Sequence, residues 1–141
     1  MKCYSFIIAV LVVIASACDE KIFTGNIDCN DCDIVKPEMA DLVVDLTISN
    51  KYPAVPVVIY EGDAEKNDIV FTDTAFATPY YLYVPVNQKY SVRAEYRDGD
   101  QVIFAIDGTN LKVLSVTDAC DARCYVIENE NMDVRLKKEF R

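Results

Sequence analysis

Residues 89–96 read Lys89-Tyr90-Ser91-Val92-Arg93-Ala94-Glu95-Tyr96. Tyr90, Val92, Ala94 and Tyr96 alternate with Lys89, Ser91, Arg93 and Glu95. In a pleated strand this period of two puts the apolar side chains on one face and the polar ones on the other. Asp98-Gly99-Asp100 follows directly. Glycine accepts the positive φ that tight turns demand, so the chain is expected to reverse there. It continues through Val102, Phe104 and Ile106 to a second expected turn at Asp107-Gly108-Thr109, and then to a strand over 111–116.

The same pattern extends in both directions. Leu42, Val44, Leu46 and Ile48 alternate in a first strand, and 55–60 makes a second, whose Pro53 and Pro56 place its beginning towards a sheet edge. Segments 69–72 and 80–84 follow, the latter closed by Pro85. Beyond an acidic loop at 118–123, Tyr125-Val126-Ile127 resumes the pattern. Met132, Val134 and Leu136 alternate with Asp133, Arg135 and Lys137 to close it. About eight short strands with turn residues between them, and no helical period over three turns, predict an all-β chain: a single antiparallel β-sandwich.

Composition removes whole classes of function. The chain has 141 residues, no His, 14 Lys+Arg against 23 Asp+Glu, and a net charge of -9. Without His there is no Ser-His-Asp or Cys-His nucleophile, no imidazole metal site and no usual near-neutral base. Four Gly leave no glycine-rich phosphate cradle. The acidic balance argues against nucleic acid, whose phosphates require Lys and Arg. Ser49, Ser91 and Ser115 lie in or at the ends of strands, and the carboxylate pairs Asp63 with Glu65 and Glu128 with Glu130 lie in turns. A glycosidase built on two carboxylates needs a deep cleft, for which this chain leaves little room. No enzyme, no cofactor and no metal is the expectation.

The start is an address. Met1-Lys2-Cys3-Tyr4-Ser5 carries one positive side chain, Phe6-Ile7-Ile8-Ala9-Val10-Leu11-Val12-Val13-Ile14 is apolar, and Ala15-Ser16-Ala17 is small. That order describes a secretory signal peptide and is too short for a comfortable bilayer span. Ala15-Ser16-Ala17-Cys18 resembles the bacterial lipoprotein lipobox, departing from it at Ala15, where Leu is usual. The resemblance implies cleavage before Cys18 and acylation of its thiol, with several acyl chains anchoring the mature chain to a lipid bilayer. Asp19-Glu20-Lys21 follows. In enterobacterial sorting such an Asp resembles an inner-membrane retention signal, whereas Bacteroidetes-type lipoproteins use acidic residues there for surface export. The chain resembles the small Bacteroidetes lipoproteins, which implies the cell envelope, the outer membrane rather than the inner, and exposure at the cell surface. The division expected is a signal peptide at 1–17, an acidic tether at 18–39 and a sandwich domain at 40–141.

Thr72-Asp73-Thr74, the strand ending in Pro85, and Tyr90-Ser91-Val92-Arg93-Ala94 resemble the transthyretin-like and carboxypeptidase-regulatory-like sandwiches, without the glycines usual around those strands. The resemblance implies a transthyretin-like or immunoglobulin-like sandwich that serves as a binding, scaffold or spacer module.

Four further cysteines stand in two pairs, Cys29 with Cys32 and Cys120 with Cys124. In an exported chain an even number points to disulfides, and two cross-links between the pairs are favoured among three connectivities. The same spacing suits a four-thiolate zinc site, and a reactive redox pair is the third reading. Asp28, Asp31 and Asp33 around the first pair raise a thiol pKa, which favours a structural staple. With Asp118 and Asp121 these acids would form a solvated rim, since no calcium-loop spacing is present.

One ligand site is a candidate, although the pattern favours a plainer reading. If Tyr80, Leu82 and Val84 face the core, Tyr81 and Tyr83 share the opposite face with Arg93 and Glu95 of the next strand, partly covered by Ile103 and Ala105. Tyr81, Tyr83 and Arg93 would then stack a sugar ring and bind its hydroxyls, against the plainer reading of aromatic pairs that only stabilise the sheet. The leading function is a membrane-anchored, non-catalytic binding or scaffold module whose partner is an envelope protein or glycan. The alternatives are an assembly subunit that pairs the edge strand 55–60 with a partner's strand, and a cysteine-dependent redox or zinc-binding protein.

Overall fold

The computed structural model describes residues 28–117 and 120–137. The expected signal peptide, Cys18 and the start of the tether lie outside these residues. The described chain is all-β: β1 (Met39–Asp45), β2 (Val55–Glu61), β3 (Ile69–Ala75), β4 (Tyr80–Pro85), β5 (Gln88–Asp98), β6 (Gln101–Val116), β7 (Cys124–Glu128) and β8 (Asn131–Asp133). Short 3-10 turns at Cys29–Asp31 and Ala64–Lys66 complete the elements. The strands form a three-stranded sheet in the order β4-β1-β8 and a five-stranded sheet in the order β3-β2-β5-β6-β7.

The inward positions of the period-two runs make the core. Leu42 and Val44 of β1, Val55, Val57 and Ile59 of β2, Val92, Ala94 and Tyr96 of β5, Leu111 of β6 and Met132 of β8 are all buried in it. Each large side chain fully withdrawn from water contributes about 1.5–3 kcal/mol, so this cluster is the main driving force.

Tyrosines join the sheets through their hydroxyls. The Tyr96 hydroxyl accepts from the Thr47 amide at 3.1 Å and donates to the Val134 carbonyl at 2.7 Å, reaching from β5 to the segments after β1 and β8. Tyr90 donates to the Pro85 carbonyl at the end of β4 at 2.8 Å. Tyr80 of β4 donates to the Asp73 carboxylate of β3 at 2.9 Å.

Two disulfides, Cys29 with Cys120 and Cys32 with Cys124, join the cysteine pairs across, with Cα separations of 5.8 and 5.5 Å. Closing a loop with a sequence separation of 91 stabilises by about 4–5 kcal/mol in the chain-entropy account, and the adjacent second bridge adds less. Asp33 and Tyr125 exchange backbone hydrogen bonds of 2.9 and 2.7 Å. The part of the tether at 28–38 is therefore fastened to the sandwich.

Four expectations are corrected. Gly108 makes no turn, because β6 runs through it as one strand. Residues 101–111 of β6 pair with β5 and residues 112–116 with β7, so the ladder carries the strand straight on. A Cβ at Gly108 would lie 3.2 Å from the Ser91 Oγ, so glycine serves close approach there; positive φ is used at Gly99 instead (+60°). Strand β2 is interior, paired with β3 on one side and β5 on the other. Pro56 is tolerated because pairing with β5 begins only at Val57. The sandwich is not purely antiparallel: β8 returns from the large sheet and runs parallel to β1 over Val43–Asp45. Finally, β1 stops at Asp45 and β8 at Asp133, so Leu46, Ile48, Val134 and Leu136 pack as loop residues.

Tyr96→Phe leaves the Val134 carbonyl and the Thr47 amide without the hydroxyl, and a loss of about 1–3 kcal/mol in denaturant unfolding is expected, with an unchanged m-value. Burial, together with the neighbouring Asp73 carboxylate, pushes the Tyr80 phenol up from 10.0 to about 12. The folded state thus favours the neutral phenol, and this contribution is intact below pH 10 and lost as pH rises to 12. The stability gap between the wild type and Tyr80→Phe should shrink over that window in denaturation curves.

Candidate functional site

The structure separates the residues expected to share a site. Tyr80, Leu82 and Val84 do face inward, and Tyr81 and Tyr83 are exposed at 59% and 63%. They lie on the outer face of the three-stranded sheet, opposite Val43 and Asp41 of β1. Arg93 belongs to β5 of the other sheet. Chain neighbours β4 and β5 cross between layers at Asn87, whose φ is 59°, so their outward faces point away from each other. Tyr81 and Tyr83 cannot act with Arg93 on one ligand.

Arg93 has other company. Its in-register neighbours are Val58 on β2 and Ile106 on β6. The guanidinium carbon lies 5.7 Å from the Tyr60 ring centroid and 5.2 Å from that of Phe104. Such cation–π contacts contribute about 0.5–2 kcal/mol each according to exposure. Glu95, two residues along, is held by Arg97 at 2.7–2.8 Å and does not neutralise Arg93. Among the described residues the Arg93 guanidinium forms no hydrogen bond and no ion pair.

The apolar row of β6 is on this outer face. Val102, Phe104 and Ile106 are exposed at 49%, 53% and 58%, while Ile103 and Ala105 pack against the core. The expected cover by Ile103 and Ala105 is therefore reversed. The signal was in the turn. A two-residue Gly99-Asp100 loop pairs Asp98 with Gln101, which sets Tyr96 opposite Ile103 and Ala94 opposite Ala105. Residues directly opposite share a face, so the inward Tyr96 and Ala94 carry Ile103 and Ala105 inward with them.

Beside Ile106 the face dips into an open hollow of about 490 Å³. Its floor is the Ser91–Gly108 pair, where the missing side chain lets the surface sink. Its wall is the loop after β2, turned over the sheet at Gly62 with φ +77°. The Gly62 amide donates to the Lys89 carbonyl at 2.7 Å and the Ser91 hydroxyl donates to the Gly62 carbonyl at 2.6 Å. Lys89 pairs with Asp63 and holds that carboxyl below the usual carboxylate range. Asn110, Thr109 and Glu65 complete a rim of hydrogen-bonding groups.

Other candidates are occupied by structure. The ligand atoms of Cys32, Cys120 and Cys124 lie within 4.8 Å of one another, and theirs is the only such metal-capable group among the described residues. Their sulfurs are in disulfides, which offer no thiolate. Among the described residues the acids of the rim form no metal-capable group: Asp28 accepts from the Asn30 amide and side chain, and Asp118 lies outside the described residues. Ser49 accepts from the Tyr52 amide and Ser115 from Arg123.

Comparison with protein-family models, with curated proteins and with solved structures finds no match.

The exposed row contributes little to folding. Phe104→Ala and Ile106→Ala should each shift unfolding by no more than about 1 kcal/mol, whereas Ile59→Ala in the core should cost about 2–5 kcal/mol, by chemical denaturation.

Proposed function

We propose that this chain is a cell-envelope lipoprotein in which acylated Cys18 holds a non-catalytic binding module at a lipid bilayer. The observation that carries the reading is the double staple. Cys29–Cys120 and Cys32–Cys124 tie the segment just after Cys18 to the sandwich. Paired disulfides of this kind persist in oxidising compartments outside the cytosol. Residues 19–28 alone separate the lipobox-like Cys18 from the first bridge. At most about 40 Å of extended chain would link anchor and domain, so the module would stand close to the membrane. The outer membrane, facing the cell exterior, follows from the likeness of the Cys18 region to Bacteroidetes lipoproteins. Among the described residues, no helix is long and apolar enough to cross a membrane.

A second reading keeps the assembly role but moves its strand. Interior β2 has no edge to offer, whereas β3 is the end strand of its sheet, with Ile69, Val70 and Phe71 exposed at 51%, 45% and 39%. An unpaired edge of this composition is a template for an added strand. This reading expects polymers that grow with concentration in sedimentation and are suppressed by a charge at Val70.

Intact mass spectrometry of the protein purified from its membrane, alkylated with and without prior reduction, tests the leading reading. The expected result is a chain beginning at acylated Cys18 whose four remaining cysteines block only after reduction. A chain without acyl groups, or with thiols alkylated before reduction, would overturn it.

A further inference from the structure

We infer that the outer face of the five-stranded sheet is a binding site for a glycan carrying uronic-acid residues, with Arg93 receiving the sugar carboxylate. The inference rests on the binding-module reading and names its ligand class.

Three observations converge on this chemistry. Arg93 is a cation without an ion pair among the described residues, and Glu95, two positions along, is engaged by Arg97. The Arg93 guanidinium lies by the Tyr60 and Phe104 rings while its N–H donors make no hydrogen bond among the described residues, which leaves them for a ligand. An arginine edge matches a carboxylate with two parallel hydrogen bonds. Next, Phe104 and Ile106 are more than half exposed on the same face and offer an apolar surface to the C–H face of a sugar ring. Lastly, the hollow over Ser91 and Gly108 lies one outward position along from the Arg93–Ile106 pair. Two residues of strand are about 7 Å, the span of one pyranose ring. Asn110 and the charged pair Asp63–Lys89 stand there to bind hydroxyls, while the Thr109 hydroxyl is held by the Asn129 carbonyl.

Charge selects the glycan over an acidic peptide. The chain carries a net charge of -9, so a ligand with a dense run of carboxylates meets repulsion over a Debye length of about 8 Å. A glycan in which one uronic-acid ring stands between neutral rings uses the local cation and meets less of the overall field. Tyr81 and Tyr83, on the far side of the sandwich, take no part.

The test is a calorimetric titration of the full mature chain, in detergent, with a trisaccharide holding one galacturonate between two neutral sugars, its methyl ester and a tri-glutamate peptide. Saturable binding of the trisaccharide is expected, at least tenfold weaker for the ester and for the peptide. Arg93→Gln should lose at least tenfold, Arg93→Lys should retain part of the affinity, Phe104→Ala should lose severalfold, and the Tyr81→Ala/Tyr83→Ala double variant should bind as the wild type does. Absence of saturable binding, equal binding of acid and ester, or wild-type affinity in Arg93→Gln would overturn the inference. Equal or tighter binding of the peptide would overturn it in favour of a protein partner. Acylation of Cys18 is read separately by mass, so a failure here leaves the anchoring result standing.

Discussion

The β5–β6 hairpin is the constraint on which the other features depend. Its ladder runs from Gln88↔Leu111 to Asp98↔Gln101 without a slip. A one-residue shift would send every side chain to the other face. Gly99, with φ +60°, sets the register by closing the loop in two residues. From that register follow the inward set Tyr90, Val92, Ala94 and Tyr96 and the outward set Lys89, Ser91, Arg93, Glu95 and Arg97. The core and the candidate site are two sides of one hydrogen-bonded ribbon. Strand β2 adds to the free edge of β5, and β7 pairs with β6 beyond the start of β5.

A ribbon with an apolar face needs a second layer, and the second layer here is thin. Three strands cover five, and β8 is only three residues long. Hydroxyl bonds from Tyr80, Tyr90 and Tyr96 therefore matter beyond their modest individual worth of about 1 kcal/mol. They fix the smaller sheet at several separate places, and those of Tyr90 and Tyr96 satisfy backbone carbonyls where its strands end. The disulfides act at a different place, holding the N-terminal segment against β7 through Cys124 and the adjoining loop through Cys120. Much of their effect lies in the unfolded chain, where they remove the freedom of a loop with a separation of 91.

What the sequence disclosed follows the same logic. Alternation was enough for the all-β class, because burial on one face imposes period two on strands such as Tyr90 to Tyr96. The Gly99 turn was legible because its chemistry is local. Gly108 was misread for a related reason: the same Asp-Gly pattern serves close packing against Ser91, and only the partner strand distinguishes the uses. Layer assignment was not legible. Tyr81 and Arg93 stand on successive strands, and nothing local to either reveals that the Val86-Asn87 connection crosses between sheets. The pairing of Arg93 with Tyr60 and Phe104 joins three strands, β2, β5 and β6, and so depends on a topology that periodicity does not encode.

The energetics of Arg93 separate a binding group from ordinary surface charge. An exposed arginine carries about 2 kcal/mol of rotamer entropy, which a ligand must overcome to use it. Cation–π contacts with Tyr60 and Phe104 hold the guanidinium near these rings before any ligand arrives. The fold meets that cost, since both rings are positioned by the sheet's register and not by the ligand. By contrast, Lys51, Lys89, Arg97 and Arg135 all spend their charge on carboxylates of this chain. In those pairs the cation is screened and its donors are in use. Arg93 combines aromatic contacts, unpaired donors and an apolar frame. That combination raises affinity through preorganisation, where a flexible lysine would gain only a screened attraction.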